Sequence, residues 1–311
     1  MNFYILSDVH CEYLEFDDIS KIINKIKSSK CIINSTNPIW TSSILLMAGD
    51  IGNLSTEEQY NKLKFFMYNI APYFTKIIWI FGNHEYYNLS LYDARLVGYK
   101  LNSELNQIYN NKFVLLINDI YEINGYTILG TTLWSYALNS ENTTNCIGMV
   151  HDFKSHNEYN EEHLKDVTWL TYMLNIFKNN NKNIIVMTHH LPSYQCILPK
   201  YRIYDKINSY FASNLDHLIM PNIKAWIYGH THTADEKNIN GVNLYCNPLG
   251  YKTESKQKLK QSSILKMIIF DINYLSVLNT IEENNYINEQ YNIDKILSLI
   301  DDDESDNIYI K

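Results

Sequence analysis

The residue types able to do chemistry fall in five short clusters: Asp8-x-His10, Gly49-Asp50, Gly82-Asn83-His84-Glu85, His189-His190 and Gly229-His230-x-His232. Imidazole, carboxylate and amide oxygen, with no thiolate among them, suit borderline divalent cations such as Mn²⁺, Fe, Zn²⁺ or Co²⁺. Two such residues separated by one, as in Asp8/His10 and His230/His232, reach one ion together where a strand relaxes into a loop. A carboxylate can bridge two cations about 3.5–4 Å apart, the separation typical of two-metal hydrolases. Asp50, alone at its strand end, is the natural bridge. If Asp8 and Asp50 are the only anionic ligands, two divalent cations keep a positive surplus that attracts phosphate. The chemistry indicated is hydrolysis of a phosphoester rather than of a peptide or sugar.

Such clusters need the ends of buried strands to hold them. The apolar run Ile77–Phe81 reads as a strand broken by Gly82, so that Asn83, His84 and Glu85 project from the following turn. Residues 2–6 and Ser43–Ala48 are further apolar strands, ending at Asp8 and Asp50. Asn183–Met187 ends at His189, and Lys224–Tyr228 ends at Gly229-His230. Amphipathic spacing predicts helices over Asp17–Lys30, Thr56–Ala71, Tyr92–Tyr109 and Glu161–Lys178, and a helix running to Leu218. Strand and helix alternating at this interval indicate βαβ units in a largely parallel sheet, whose sites lie at the carboxyl ends of the strands. Short strands are expected over Phe113–Ile117, Asp119–Ile123, Tyr126–Leu129 and Ser263–Asp271, with hairpin turns at Asn124-Gly125 and Asn240-Gly241. Residues 136–160 are polar and are expected to be irregular, forming a lid or rim.

Composition narrows the class. The chain has 311 residues, 46% hydrophobic and 19% charged, enough for a large core. A formal net charge of −8 argues against general binding to nucleic acid or an anionic membrane, and no basic, aromatic-interleaved stripe marks a nucleic-acid groove. The N-terminus lacks the basic and apolar regions of a signal peptide, and no apolar run reaches about 20 residues, so no transmembrane helix is expected. Cys11, Cys31, Cys146, Cys196 and Cys246 are scattered without a Cys-x-x-Cys pair, as for free thiols in a reducing, cytoplasmic compartment. The division expected is a catalytic domain over 1–280 and a polar, acidic tail over 281–311.

In their order along residues 8–232, the five clusters resemble the motifs of the calcineurin-like metallophosphoesterase superfamily. The resemblance implies a four-layer α/β/β/α sandwich, an α/β fold with two mixed sheets and a dinuclear metal site at the strand ends. It implies that Asp8, His10 and His232 hold one metal, that Asn83, His189 and His230 hold the other, and that Asp50 bridges them. His84 is implied to face the scissile bond, stabilising the transition state or protonating the leaving oxygen, while a metal-bridging hydroxide attacks phosphorus. The Ser/Thr protein phosphatase branch continues its second motif with an Asp and an Arg, where this chain has Ile51-Gly52-Asn53-Leu54. Asn53 takes the place of the Asp that would orient the catalytic histidine. The chain therefore resembles the compact, broad-specificity branch, with Gly130-Thr131-Thr132-Leu133-Trp134 and Asn247-Pro248-Leu249-Gly250-Tyr251 as weaker matches.

The reading is a phosphodiester or phosphomonoester hydrolase acting on a small molecule, the diester slightly preferred because arginine clamps for a monoester dianion are absent. The alternatives are a phosphoprotein phosphatase and a non-catalytic scaffold that keeps the fold. Asn83 and His84 are the expected substrate contacts, and Lys200 and Arg202 are candidates for a second phosphate. Glu85 is expected to anchor its loop and His190 to hydrogen-bond behind the ligands. Tyr86 and Tyr87 are expected to pack, and His151, His156 and His163 to be solvent-exposed.

Overall fold

The computed structural model describes residues 2–36, 42–178, 182–261 and 263–269. The expected tail over 281–311 lies outside these residues.

Two mixed sheets lie face to face. The first contains β1 (Asn2–Leu6), β2 (Ser43–Ala48), β3 (Lys76–Ile80), β4 (Phe113–Leu116) and β11 (Lys266–Ile269), in the order β11-β1-β2-β3-β4. β1 to β4 are parallel, and β11 closes the edge antiparallel to β1. The second contains β5 (Asp119–Ile123), β6 (Tyr126–Thr131), β7 (Asn183–Thr188), β8 (Ile223–Tyr228), β9 (Asp235–Ile239) and β10 (Val242–Cys246), in the order β5-β6-β7-β8-β10-β9. Both Asn-Gly hairpins take positive φ at the two central residues: 50° and 80° at Asn124-Gly125, 52° and 84° at Asn240-Gly241. This is the geometry that matches strand twist and that Asn-Gly accommodates.

Alternation along the strands builds three apolar layers. Phe3, Ile5, Ile44, Leu46, Ile78 and Ile80 of the first sheet pack against Ile128, Ile185, Met187, Ala225 and Ile227 of the second. The intervening residues Tyr4, Leu6, Leu45, Met47, Ile77 and Trp79 face α1 (Phe16–Thr36), α2 (Glu57–Ile70) and α3 (Leu91–Tyr109). On the outer face of the second sheet, Val186, Trp226 and Tyr228 share a layer with Leu170, Met173 and Leu174 of α5 (His156–Phe177). Strands apolar on both faces are the pattern for sheets covered on each side, and the result is the α/β/β/α sandwich.

Several boundaries differ from the sequence reading. Residues 136–160 are not irregular throughout: Ser140 caps a short helix, α4 (Glu141–Ile147), and Ser155 caps α5 five residues earlier than expected. Ser and Asn hide helix signals in a polar segment, yet those residue types are the favoured N-caps. The helix expected to reach Leu218 is split into α6 (Asp205–Phe211) and a 3₁₀ turn over Asp216–Leu218. A last helix, α7 (Lys252–Lys258), follows the Asn247–Tyr251 segment.

Candidate metal centre

The loops after β1, β2, β3, β7 and β8 bring Asp8, His10, Asp50, Asn83, His84, His189, His230 and His232 to one place at the carboxyl edges of both sheets. Three trios have donor atoms all within 4.8 Å of one another: Asp8/His10/His232, His10/Asp50/His84 and Asp50/His189/His230. Asp50 Oδ2 lies 3.2 Å from His189 Nε2, 3.9 Å from His10 Nε2 and 3.8 Å from His84 Nε2. It is thus shared between the two ends of the cluster.

The backbone at these positions is unusual. Asp8, His10, Asp50, His230 and His232 have φ between 50° and 69°, in the left-handed region that side-chain-bearing residues seldom adopt. Such strain of order 1–3 kcal/mol per residue persists where the surroundings over-determine it, and it concentrates at functional sites. At Asp50 the over-determination comes from Glu85. Its carboxylate, fully buried, accepts the backbone N–H groups of Asp50, Ile51, Gly52 and Gly82 at 3.0, 2.7, 3.2 and 2.7 Å. Burial and the Asp50 charge push this carboxyl up, while the N–H donors favour its ionised form. The expected anchoring role of Glu85 is the one its contacts describe. Gly49 and Gly82 permit close approach: a Cβ on Gly82 would sit 2.2 Å from Asp50 Oδ1, and one on Gly49 would sit 2.6 Å from His189 Nδ1.

Ring tautomers follow from the outer partners. His10 Nδ1 donates to Glu12 Oε1 (3.1 Å), His232 Nδ1 to Glu254 Oε2 (3.0 Å) and His189 Nδ1 to the Ala48 carbonyl (2.9 Å). Histidines that ligate metals are held in this way, by a carboxylate or carbonyl at the second nitrogen. The inward nitrogens of His10 and His232 then face each other at 2.9 Å, and His232 Nε2 is 3.6 Å from Asp8 Oδ1. Lone pairs and carboxylates pointed at one spot repel unless a positive centre sits among them, so the donor set fits a divalent cation. At the other end, His189 Nε2 lies 3.0 Å from Asn83 Oδ1 and 3.2 Å from His230 Nδ1. The Asn83 amide nitrogen is turned outward to the Tyr87 hydroxyl (2.5 Å), which leaves Oδ1 facing inward. Burial opposes ionisation of Asp50, yet the His189, His84 and His10 rings hold its carboxyl well below the usual carboxylate range. Burial and the neighbouring His190 and His189 push His230 well below the usual imidazole value, so it presents a neutral ring.

His84 is oriented by a residue the sequence reading did not single out. Its Nδ1 donates to Glu12 Oε1 at 2.8 Å, the same oxygen that holds His10. Asn53 does not contact the imidazole; its amide donates to the His84 and Tyr87 carbonyls at 2.9 and 3.2 Å and so fixes the loop. The available signal was spacing, since Glu12 stands two residues after His10 as His10 stands two after Asp8. Tyr251 and Glu254 were also missed. The Tyr251 ring lies 4.6 Å from the His10 ring and 4.4 Å from the His232 ring. Gly250 N–H donates to the Asp8 carbonyl at 2.8 Å, which ties the Asn247–Tyr251 segment to the first cluster.

His190 is buried, its Nδ1 3.4 Å from the Thr132 carbonyl and its Nε2 without a hydrogen-bond partner among the described residues. Tyr86 is buried against Phe81 and Trp134, whereas Tyr87 lies over His84 with ring centroids 4.4 Å apart. Lys200 is exposed, its ammonium 4.6 Å from the Tyr201 ring centroid. Arg202 donates to the Ile197 and Gln195 carbonyls at 3.2 and 3.3 Å, so its guanidinium is already engaged. His151 is exposed, but His163 is buried and bonded to the Trp134 carbonyl at 2.5 Å, and His156 meets the Thr143 hydroxyl at 2.8 Å.

The family described as calcineurin-like phosphoesterase matches residues 1–234. An uncharacterized protein of Acanthamoeba polyphaga mimivirus is 32% identical over 268 residues, covering 80% of this chain and 91% of that one. Among solved structures, the phosphopantetheinyl hydrolase of Mycobacterium tuberculosis superposes with a TM-score of 0.59 at 17% identity, covering 88% of this chain and 97% of that one. This last likeness establishes the fold.

Proposed function

The chain belongs to the calcineurin-like phosphoesterase family, and from that premise we propose a metal-dependent hydrolase of a small-molecule phosphodiester or phosphomonoester, the diester slightly preferred. The observation that carries the reading is the inward-facing donor set, Nε2 to Nε2 at 2.9 Å between His10 and His232, with Asp50 shared between two groups of ligands. Asp8, His10 and His232 would hold one cation, and Asn83, His189 and His230 the other, with Asp50 common to both. When bound, two divalent cations such as Mn²⁺, Fe or Zn²⁺ supply Lewis acidity toward the phosphoryl oxygens and acidify a water.

The chain's own groups do the rest. Glu12 accepts from His84 Nδ1, which leaves Nε2 directed at the centre, 3.8 Å from Asp50 Oδ2. As imidazolium, His84 donates its Nε2 proton to the departing ester oxygen while the P–O bond breaks, and the Glu12 carboxylate balances the charge. Asn83 presents its amide oxygen inward, and its amide nitrogen, the one side-chain donor it has for a phosphoryl oxygen, bonds to the Tyr87 hydroxyl. The diester preference rests on the want of a lysine or arginine among the described residues that line the cavity at the cluster.

No helix among the described residues is long and apolar enough to cross a membrane. Cys11, Cys146, Cys196 and Cys246 are free thiols, which supports a reducing, cytoplasmic setting as part of the proposal. No nucleic-acid or membrane partner is included in it.

The test is hydrolysis of bis-4-nitrophenyl phosphate and 4-nitrophenyl phosphate with added Mn²⁺, comparing the natural chain with His84→Ala and Asp50→Asn. Metal-dependent turnover lost in both variants upholds the reading. Absence of both turnover and bound metal promotes the scaffold alternative.

A further inference from the structure

We infer that the cavity beside the metal-ligand cluster is a subsite for an uncharged apolar or aromatic ester group, so that the substrate is a phosphodiester carrying one such arm. The inference rests on the phosphoesterase reading and narrows its substrate class. The cavity has a volume of about 570 Å³, and Asp50 and His84 form part of its lining. That size suits a small-molecule site.

The rest of the lining is contributed largely by the segment after β7, with Ile197, Leu198, Tyr201, Tyr204, Ile207 and Phe211. Tyr201 and Tyr204 remain 45% and 54% exposed, although both residues line the cavity. Tyr87 and Tyr251 line the cavity next to the cluster, each with its ring 4.4 Å from a cluster histidine, His84 and His232 respectively. A flat or apolar arm leading away from phosphorus would therefore pass between aromatic faces, which favour offset and edge contacts with another ring.

Charge points the same way. No lysine or arginine is among the described lining residues, and beyond the cluster the ionisable carboxylate on the lining is Glu254. An arm bearing a second phosphate or a carboxylate would meet that anion with no lysine or arginine among the described lining residues to offset it. A neutral arm loses nothing there, and it gains from covering exposed tyrosine surface. Removing about 100 Å² of apolar surface from water is worth between ten- and a hundredfold in binding.

The full-length, Mn²⁺-loaded protein is assayed with 4-nitrophenyl phosphodiesters whose second ester is methyl, hexyl, phenyl or thymidine 5′. The same series is run on Tyr201→Ser and Tyr204→Ser. In parallel, calorimetry compares the binding of methylphosphonate and phenylphosphonate. We expect kcat/KM for at least one large neutral arm to exceed that for methyl about tenfold, with that ratio falling toward one in the variants. Whichever of hexyl, phenyl or thymidine leads then identifies the source of the arm: chain, aryl group or nucleoside. Equal kcat/KM across the series overturns the inference and leaves the phosphoesterase reading standing. If none of the diesters turns over, the diester part of that reading has failed, and calorimetry still decides the subsite: tenfold tighter phenylphosphonate upholds it, and equal affinities overturn it.

Discussion

Replacing Glu12 by glutamine should separate the groups that bind from those that orient. Glu12 Oε1 accepts from His84 at 2.8 Å and from His10 at 3.1 Å, and the carboxylate is buried with only 2% of its side chain exposed. Burial opposes its ionisation, but the hydrogen bonds and charges of His10 and His84 hold the carboxyl below its usual value. Glutamine keeps the shape and one acceptor oxygen while removing the charge. It also places an amide N–H₂ where Glu12 Oε2 now has no partner among the described residues. Charge-assisted hydrogen bonds contribute about 1.5–3 kcal/mol and neutral ones about 0.5–1.5, so each bond weakens by about 1 kcal/mol. With both bonds affected, about 2 kcal/mol corresponds to a 10–100-fold effect, the range seen when partners of metal-ligating histidines are changed. For Glu12→Gln we expect kcat on bis-4-nitrophenyl phosphate at saturating Mn²⁺ to fall 10–100-fold, with KM changed less than threefold. A double-mutant cycle with His84→Ala assigns the route. If Glu12 acts through His84, its substitution costs much less in the His84→Ala background. A Glu12→Gln enzyme within twofold of the natural one in both kcat and Mn²⁺ affinity would refute the reasoning.

Further expectations concern the scaffold. Glu85→Ala removes the acceptor of four buried backbone N–H groups, so stability should drop by about 3 kcal/mol or more in urea unfolding, with Mn²⁺ affinity falling alongside. Gly82→Ala should abolish Mn²⁺ binding by calorimetry while leaving far-ultraviolet circular dichroism unchanged, because its Cβ would displace Asp50 Oδ1. Met187→Ala, between the two sheets, should cost about 2–5 kcal/mol in the same urea assay. Burial raises the Asp166 carboxyl from 3.8 to about 6, against hydrogen bonds from Asn118 and the Trp134 N–H. The folded chain thus holds this proton more tightly than the unfolded one, and the group's contribution to stability falls by about 3 kcal/mol as pH rises from about 4 to about 6. Asp166→Asn should flatten the stability profile across that window, and an unchanged slope would show that Asp166 does not cause it.

How far the sequence carried depended on the range of each interaction. Ser43–Ala48 was readable to the residue because an apolar run bounded by polar turns is a local signal, and Asp119–Ile123 because the Asn124-Gly125 turn ends it. The same holds for the Asn-Gly turns. The ligand-bearing clusters were readable because each follows such a run. The left-handed φ of Asp8, Asp50 and His230 was not, since no residue type announces it outside glycine and asparagine. Glu12 was overlooked because its meaning lies in a contact across 72 positions, to His84. Tyr251 reaches His10 from still further along the chain, in a segment recognised only by its Pro-Leu-Gly pattern. His163 was misjudged because its polar neighbours in sequence hide that its face of α5 turns toward Trp134.

The central claim is that two divalent cations share Asp50. The most direct measurement is elemental analysis of Mn²⁺-loaded, dialysed protein, natural and Asp50→Asn, with bis-4-nitrophenyl phosphate turnover on the same samples. The account predicts about two ions per natural chain with turnover, and loss of turnover with one ion or fewer in Asp50→Asn. A natural chain that retains no metal and shows no Mn²⁺-dependent hydrolysis, or an Asp50→Asn chain that keeps both ions and full activity, would contradict it.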